Sequence, residues 1–277
     1  MAGMPGGAMK ATDRVVELLC LFTALRPELS TSEVAESLEM AHSSAHELLN
    51  GLAKTGLIRK RAPGRFRLGP MINSLAEVLA STDLVLEASR ESVVEMAETY
   101  GETVHIIELM GSRLLSLTGQ EGSSQVHVAS AIVNGNLPAH LVAPGLLLLS
   151  HLPAERLEGT VRELSDVKGP SGKAGSSEQL LAELADIRAD NYACEEGRYL
   201  PDLATVAAPI LNHANMCIAA FALFIPKGRY TNEPRAFRNI TNEAARKISL
   251  RLGWELGNAS KDSKSQQNPT PLMGPPR

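Results

Sequence analysis

Residues 30–68 read S-T-S-E-V-A-E-S-L-E-M-A-H-S-S-A-H-E-L-L-N-G-L-A-K-T-G-L-I-R-K-R-A-P-G-R-F-R-L, and the order of apolar and polar positions in them decides the N-terminal fold. Ser30 followed three positions later by Glu33 is a capping box, in which two side chains and two backbone amides satisfy one another at a helix start. Val34, Ala35 and Leu38 then share one face, and Met40 and Ala41 occupy a turn. From His42 a second helix places Ala45, Leu48, Leu49 and Leu52 inward at i, i+3, i+4 and i+7. Its opposite face carries Ser43, Ser44, His46, Glu47 and Asn50. Gly56 ends it, as a C-terminal glycine often does. An upstream helix from about Ala11 to Ala24 offers Val15, Leu18, Leu19 and Phe22 to the same small core.

A hairpin follows from Leu57 to Leu68, turning at Ala62-Pro63-Gly64. Arg59, Lys60, Arg61, Arg65 and Arg67 put five basic side chains into nine positions. Alone, such a run is an ordinary solvated hairpin. Beside the two helices it makes a winged helix-turn-helix, whose second helix fits a DNA major groove while the wing follows the phosphate backbone. Base edges, not phosphates, carry sequence information, so the polar face of the second helix is where reading is expected.

At 277 residues and 44% hydrophobic content the chain is long enough for two domains with cores of their own. No apolar run reaches the length of a membrane span. The opening M-A-G-M-P-G-G-A-M-K has no apolar segment, so a disordered stretch over residues 1–10 and a cytoplasmic protein without a signal peptide are expected. Cys20, Cys194 and Cys217 are scattered among apolar residues and read as reduced thiols. The net charge of −4 is unevenly divided. Residues 10–70 hold nine Lys/Arg against seven Asp/Glu, and the remainder holds eighteen against twenty-four. That division argues against indiscriminate coating of nucleic acid but not against a local reading module.

Beyond Gly69-Pro70, a linker helix over about Met71 to Ala80 aligns Ile72, Leu75, Ala76 and Leu79, within a linker of residues 71–82. A helix over about Leu84 to Tyr100 turns Val93, Met96 and Ala97 inward. Glu102 to Met110 and Arg113 to Thr118 alternate about Gly111-Ser112 and predict a β-hairpin. Gln125 to Val133 predicts a further strand. Helical patterns cover about Ala139 to His151, Ala154 to Leu164 and Glu178 to Asp190, the last aligning Leu180, Leu181, Leu184 and Ile187. Strands over Thr205 to Leu211 and Cys217 to Ile225 precede a helix from about Glu233 to Leu256. The expected fold class is two-domain α/β: a winged helix-turn-helix over residues 11–70 and, over 83–256, a mainly antiparallel sheet flanked by helices. The polar, proline-bearing tail 257–277 is expected to be disordered.

Four motifs in order now identify a resemblance. Gly64 to Pro70 (G-R-F-R-L-G-P) closes the wing, and Gly101-Glu102-Thr103-Val104 opens the sheet. Gly135 to Gly145 (G-N-L-P-A-H-L-V-A-P-G) and Val206 to Ile210 (V-A-A-P-I) complete the set. Over roughly residues 11–256 the chain resembles the IclR family of bacterial transcription regulators. The resemblance implies a GAF-like C-terminal effector domain, dimers or dimers of dimers, and control of DNA binding by a small organic acid or aromatic metabolite.

Departures from the family pattern are specific. Where the recognition helix often carries histidine then arginine, this chain has His46 then Glu47. Glu47 cannot bind phosphate but can accept from a cytosine amino group; the alternative is a solvent-facing residue paired with Arg59. Ser43 and Ser44 suit phosphate or base-edge contacts. In the effector site the resemblance points to Ala143, Pro144, Glu195, Glu196, Thr205, Ala222 and Phe224. Walls of Ala143, Pro144, Ala222 and Phe224 suggest a larger, partly apolar carboxylate in place of a two- or three-carbon acid, unless Phe224 is simply core.

Enzymatic readings are weak. His42 and His46 have i, i+4 spacing, but H-S-S-A-H-E lacks the internal glutamate of a zinc-protease helix. His105, His127, His140 and His213 are dispersed, with no nucleophile motif, and His140 reads as a structural hydrogen-bonding residue. No metal, cofactor or catalytic activity is expected. The expected partners are operator DNA, a small-molecule effector and a second copy of the chain. The rival is a metabolite sensor acting through protein partners, which would have no need of the wing's charge.

Overall fold

The computed structural model describes residues 11–23, 26–61, 63–123, 137–165, 167 and 176–255. The strand expected over Gln125 to Val133, the wing residue Ala62 and both tails lie outside the described residues.

The N-terminal unit contains α1 (Ala11–Cys20), β1 (Leu29–Ser30), α2 (Thr31–Ser37), α3 (His42–Thr55), β2 (Ile58–Lys60) and β3 (Arg65–Leu68). Its strands form one antiparallel sheet in the order β1-β3-β2. Leu18, Leu29, Val34, Ala45, Leu49, Ile58 and Phe66 meet in a single buried cluster, so each helix and the wing contribute to one core. The expected capping box is present: Glu33 N donates to Ser30 Oγ at 3.2 Å, and Ser30 N donates to Glu33 Oε2 at 2.7 Å. Gly56 caps α3 in the left-handed region at φ 80°.

α1 stops at Cys20, short of the expected Ala24. Leu21 and Phe22 donate to Leu18 and Leu19, the tighter i→i−3 pattern of a helix end. Thr23 and Arg26 then exchange two backbone bonds of 3.1 Å, and Pro27 disfavours a helical Arg26.

α4 (Pro70–Thr82) and α5 (Leu84–Tyr100) lead into the second unit. Asp83 serves both helices: its amide caps α4 by donating to Leu79 O, and its carboxylate accepts from Leu86 N at 2.9 Å to start α5. The remaining elements are β4 (Thr103–Met110), β5 (Arg113–Gln120), a 3-10 turn (Ala139–Leu141), α6 (Ala143–Ser150), α7 (Ala154–Ser165), α8 (Ser177–Asp190), β6 (Ala193–Glu196), β7 (Leu203–Leu211), β8 (Cys217–Pro226), α9 (Lys227–Asn232) and α10 (Pro234–Arg251). A five-stranded, wholly antiparallel sheet has the order β5-β4-β8-β7-β6.

Strand periodicity divides this sheet into two cores. Ile107, Ala207, Ala220, Ala222 and Phe224 face α6 and α8. Val104, Ile106, Val206, Phe221 and Leu223 face α5 and α10. α5 is tied to α10 by the Lys247–Glu95 pair at 2.8 Å, an Arg251–Glu91 pair and Arg251 Nη1 donating to Ala88 O at 3.0 Å.

Two further helices differ in extent from the sequence expectation, and two short elements lie outside it. The helix expected over Ala139 to His151 is broken at the extended Val142. Continuing it through Pro144 would drive the ring against the His140 carbonyl and remove a hydrogen bond. α10 ends at Arg251, not near Leu256, because Gly253 turns left-handed at φ 80° and Trp254 N folds back onto Ser249 O. The four residues of β6 and the six of α9 are too short to show a period, and neither was expected.

Candidate nucleic-acid interface and sensor site

α3 presents its reading face to solvent. Ser43, Ser44, His46 and Glu47 are exposed, while Ala45 and Leu49 behind them are fully buried. Asn50 is half-buried, and its amide donates to the His46 ring at 3.1 Å. That contact presets two neighbouring polar side chains one turn apart. Glu47 forms no ion pair with Arg59 among the described residues, so its carboxylate is available as an acceptor.

The wing stands beside this helix. Arg59 lies directly opposite Arg67 across the β2–β3 ladder, and like charges so placed repel until an anion comes between them. Lys60 sits 5.9 Å over the Phe66 ring and Arg61 is exposed next to it. Arg65 differs from the others: it reaches Glu33 at 3.5 Å and the Glu28 carbonyl at 3.4 Å. Its charge is partly used inside the unit. Glu33 also holds Arg26 at 3.3 Å, and its carboxyl is lowered to about 2, first by the backbone hydrogen bond from Ser30.

Two glycines set the wing against α3. A Cβ on Gly69 would fall 2.1 Å from Gly56 O, so only glycine allows this approach. Gly69 N donates to Leu57 O at 2.8 Å and Met71 N to Gly56 O at 3.2 Å, which fixes where α4 leaves the unit.

Six of the seven residues singled out for the effector come together at one sheet face. Ala143, Thr205, Ala222 and Phe224 are fully buried, Pro144 is buried, and Glu195 is 4% exposed. Val142 gives α6 no side-chain cap; the Thr205 hydroxyl supplies one across the sheet, accepting from Ala143 N at 2.8 Å. The same hydroxyl lies 3.4 Å from Glu195 Oε2, its acceptor. Glu195 also accepts from Arg198 N, and Arg198 spans Glu183 Oε1 at 2.7 Å and His140 O at 3.0 Å. Glu196 is exposed at the strand end. Gly145 lets α6 start against the 3-10 turn, since a Cβ there would lie 2.0 Å from Ala139 O.

His105 joins this face, a role the dispersed histidines of the sequence gave no sign of. Its ring packs edge-on to Phe224 at 5.8 Å, and Nδ1 lies 2.8 Å from Ser116 Oγ. Ser116 spends its proton on Thr118 O, so His105 Nδ1 must be the donor and Nε2 the bare lone pair. That Nε2 is buried and finds no partner among the described residues. Burial lowers the His105 pKa to about 4, so the ring is neutral near pH 7. The paired serine is eleven residues away, one strand over. His140 acts structurally, its Nε2 bonded to Val167 O at 2.9 Å.

Among the described residues no cluster of three or more His, Cys, Asp or Glu side chains could hold a metal, and no helix is long and apolar enough to cross a membrane.

A winged helix-turn-helix joined by a helical connector to an antiparallel α/β sensor unit defines a class, the two-part transcriptional regulators. Comparison with known proteins places the chain within it. The model of the IclR helix-turn-helix domain matches residues 11–62, and that of the bacterial transcriptional regulator IclR C-terminal domain matches residues 76–250. The chain belongs to the IclR family of bacterial transcriptional regulators, a family of DNA-binding proteins and not of enzymes.

The HTH-type transcriptional regulator XynR of Escherichia coli K12 is 24% identical over 248 residues, covering 89% of this chain and 98% of XynR. TtgV of Pseudomonas putida, also an HTH-type regulator, is 24% identical and covers 84% of this chain and 86% of its own. Among solved structures, an IclR homolog from Microbacterium hydrocarbonoxydans complexed with 4-hydroxybenzoate superposes with a TM-score of 0.72 at 24% identity, covering 86% of this chain and 97% of that one. The Thermotoga maritima IclR superposes at 0.65 with 21% identity, covering 87% and 96%. These likenesses establish the fold.

Proposed function

We propose that this chain is a cytoplasmic, sequence-specific operator-binding regulator whose affinity for DNA is set by an organic or aromatic carboxylate. The observation that carries the reading is the exposed polar face of α3 lying beside a wing with four basic side chains that form no ion pair among the described residues, Arg59, Lys60, Arg61 and Arg67. Ser43, Ser44, His46, Glu47 and Asn50 read base edges and nearby phosphates, while the wing, including Arg65, follows the backbone.

The effector occupies the sensor face against Ala143, Pro144, Glu195, Thr205, Ala222 and Phe224. The apolar walls favour a ring, and the bare acceptor His105 Nε2 favours a ligand carrying a hydroxyl donor. The 4-hydroxybenzoate complex of the Microbacterium relative is consistent with that chemistry. Binding acts by its differential affinity for the arrangements that α4 and α5 allow, and a coupling of about 1–3 kcal/mol changes operator affinity roughly 5- to 150-fold.

The active species is a dimer paired through α4, alone or within a dimer of dimers. No α4 residue is buried, and Met71, Leu75 and Val78 lie exposed at 43%, 55% and 61% with the 4–3 spacing of a coiled-coil seam. Two recognition helices would then span half-sites about 34 Å apart.

Selection from a randomised duplex pool tests the DNA reading: a pseudo-palindrome with that half-site spacing is the expected product. An unenriched pool from folded protein would point instead to a sensor working through protein partners. Calorimetry tests the effector class separately, with aromatic acids expected to bind and pyruvate and glyoxylate not.

A further inference from the structure

On the sheet face away from the sensor site, a cleft of about 370 Å³ opens between β6, α9 and the first turns of α10. Its wall is rich in hydrogen-bond donors. Arg235 and Arg238 come from α10, Tyr192 precedes β6, Tyr230 comes from α9, and Cys194 stands on β6. Tyr192 is 7% exposed, and its buried hydroxyl has only the neighbouring Tyr230 hydroxyl beside it among the described residues, outside strict hydrogen-bond geometry. A buried hydroxyl so poorly paired gains from a better partner.

The neighbouring groups are already arranged. The Arg238 guanidinium lies over the Tyr192 ring at 4.6 Å, which holds it at the cleft wall. Cys194 Sγ and Tyr230 Oη lie within hydrogen-bond distance at 2.9 Å. Burial pushes both phenols above the ordinary tyrosine range and keeps them as donors. Asp190 is the sole carboxylate in the wall, engaged with Arg238 at 3.5 Å. Arg235 is exposed and makes no ion pair among the described residues. Two guanidinium groups against one carboxylate, with two phenolic donors, select a negative charge carried on several oxygens.

We infer that this cleft is a second ligand site, which binds a small oxyanion, either an organic carboxylate or inorganic phosphate, between Arg235, Arg238 and the Tyr192 hydroxyl. It is separate from the proposed effector site but shares β6 with it. Cys194 lines the cleft, whereas the next residue, Glu195, lies on the opposite face, where it accepts from Thr205 of the adjacent strand. An occupant here therefore acts on the strand whose Glu195 holds Thr205, the cap of α6.

The test is titration calorimetry on the full chain with benzoate and, separately, with inorganic phosphate. The variants are Arg235→Gln, Arg238→Gln and Tyr192→Phe, with Thr205→Val to remove binding at the proposed effector site. At least one probe is expected to show a binding component that survives in Thr205→Val and that weakens about tenfold in each arginine variant and several-fold in Tyr192→Phe. Which probe does so identifies the source of the oxyanion. Should Arg238→Gln misfold, Arg235→Gln and Tyr192→Phe decide alone, since the first is at an exposed position and the second removes a single hydroxyl. Binding of neither probe overturns the inference, as does an affinity unchanged by Arg235→Gln and Tyr192→Phe.

Discussion

Arg65 and Arg67, two positions apart on one strand, do different work. Arg65 closes on Glu33 and Glu28, whereas Arg67 faces Arg59 with no carboxylate between them. Arg67→Ala is therefore expected to weaken binding to all DNA sequences and to lower the slope of log K against log salt by about 1. Arg65→Ala should cost folding stability as well and move the slope less; equal slopes for the two would contradict the ion-pair argument. Glu47→Ala is expected to change which sequence is preferred, measured by competition between duplexes, with little change in the salt slope. Ser30→Ala removes one half of a capping box and should lower unfolding stability by about 1 kcal/mol. The residues of α3 and the wing were legible in the sequence because periodicity and charge mark an exposed face. His105 was not, because its meaning depends on Ser116 and Phe224, which only strand pairing brings beside it.

Elements behave according to their length. The 14 residues of α3 and 17 of α5 repeat their apolar period several times, and the sequence pattern located both within a residue. β6 has four residues, two of them glutamates, and nothing local distinguishes it from a loop. Its place at the sheet edge comes from pairing with β7, through Ala193↔Ala207 and Glu195↔Thr205. The sensor residues were accordingly visible only through family motifs, not through any local pattern. α4 is the converse case: its apolar stripe is plain in the sequence, yet none of its residues is buried within the chain. Substituting Leu75 and Val78 together with lysine should convert a dimer to a monomer in light scattering and weaken operator binding about a hundredfold, because the half-sites would no longer be joined. A double variant that stays dimeric would remove α4 from the interface.

At the scale of the whole molecule, one prediction concerns acid. His105 and His151 are both lowered to about 4, in each case mainly by burial, whereas the unfolded chain takes up these protons near 6.5. Their contribution is complete above pH 6.5 and is lost as the pH falls from there toward 4. Glu33, held at about 2, adds a loss only below about pH 4.5. Thermal unfolding should therefore occur at lower temperature at pH 5 than at pH 7, and His105→Gln should flatten part of that slope. A pH-independent midpoint between 7 and 5 would contradict the buried, neutral imidazole.

The same scale joins the two units. Gly69 fixes the exit of α4 from the wing, Asp83 caps both connector helices, and α5 is bound to α10 along its length. The connector helices therefore reach from the wing to the sheet face packed by α5 and α10, and the proposed effector residues lie on the other face of the same sheet. The central claim is that this chain reads a specific DNA sequence, and fluorescence anisotropy tests it most directly. The purified protein would be titrated onto the DNA upstream of its own coding sequence, at two salt concentrations and with excess competitor. Preferential binding that weakens steeply with salt is the expected result. A folded dimer that shows no preference over competitor at either salt concentration, with or without an aromatic acid, would contradict it.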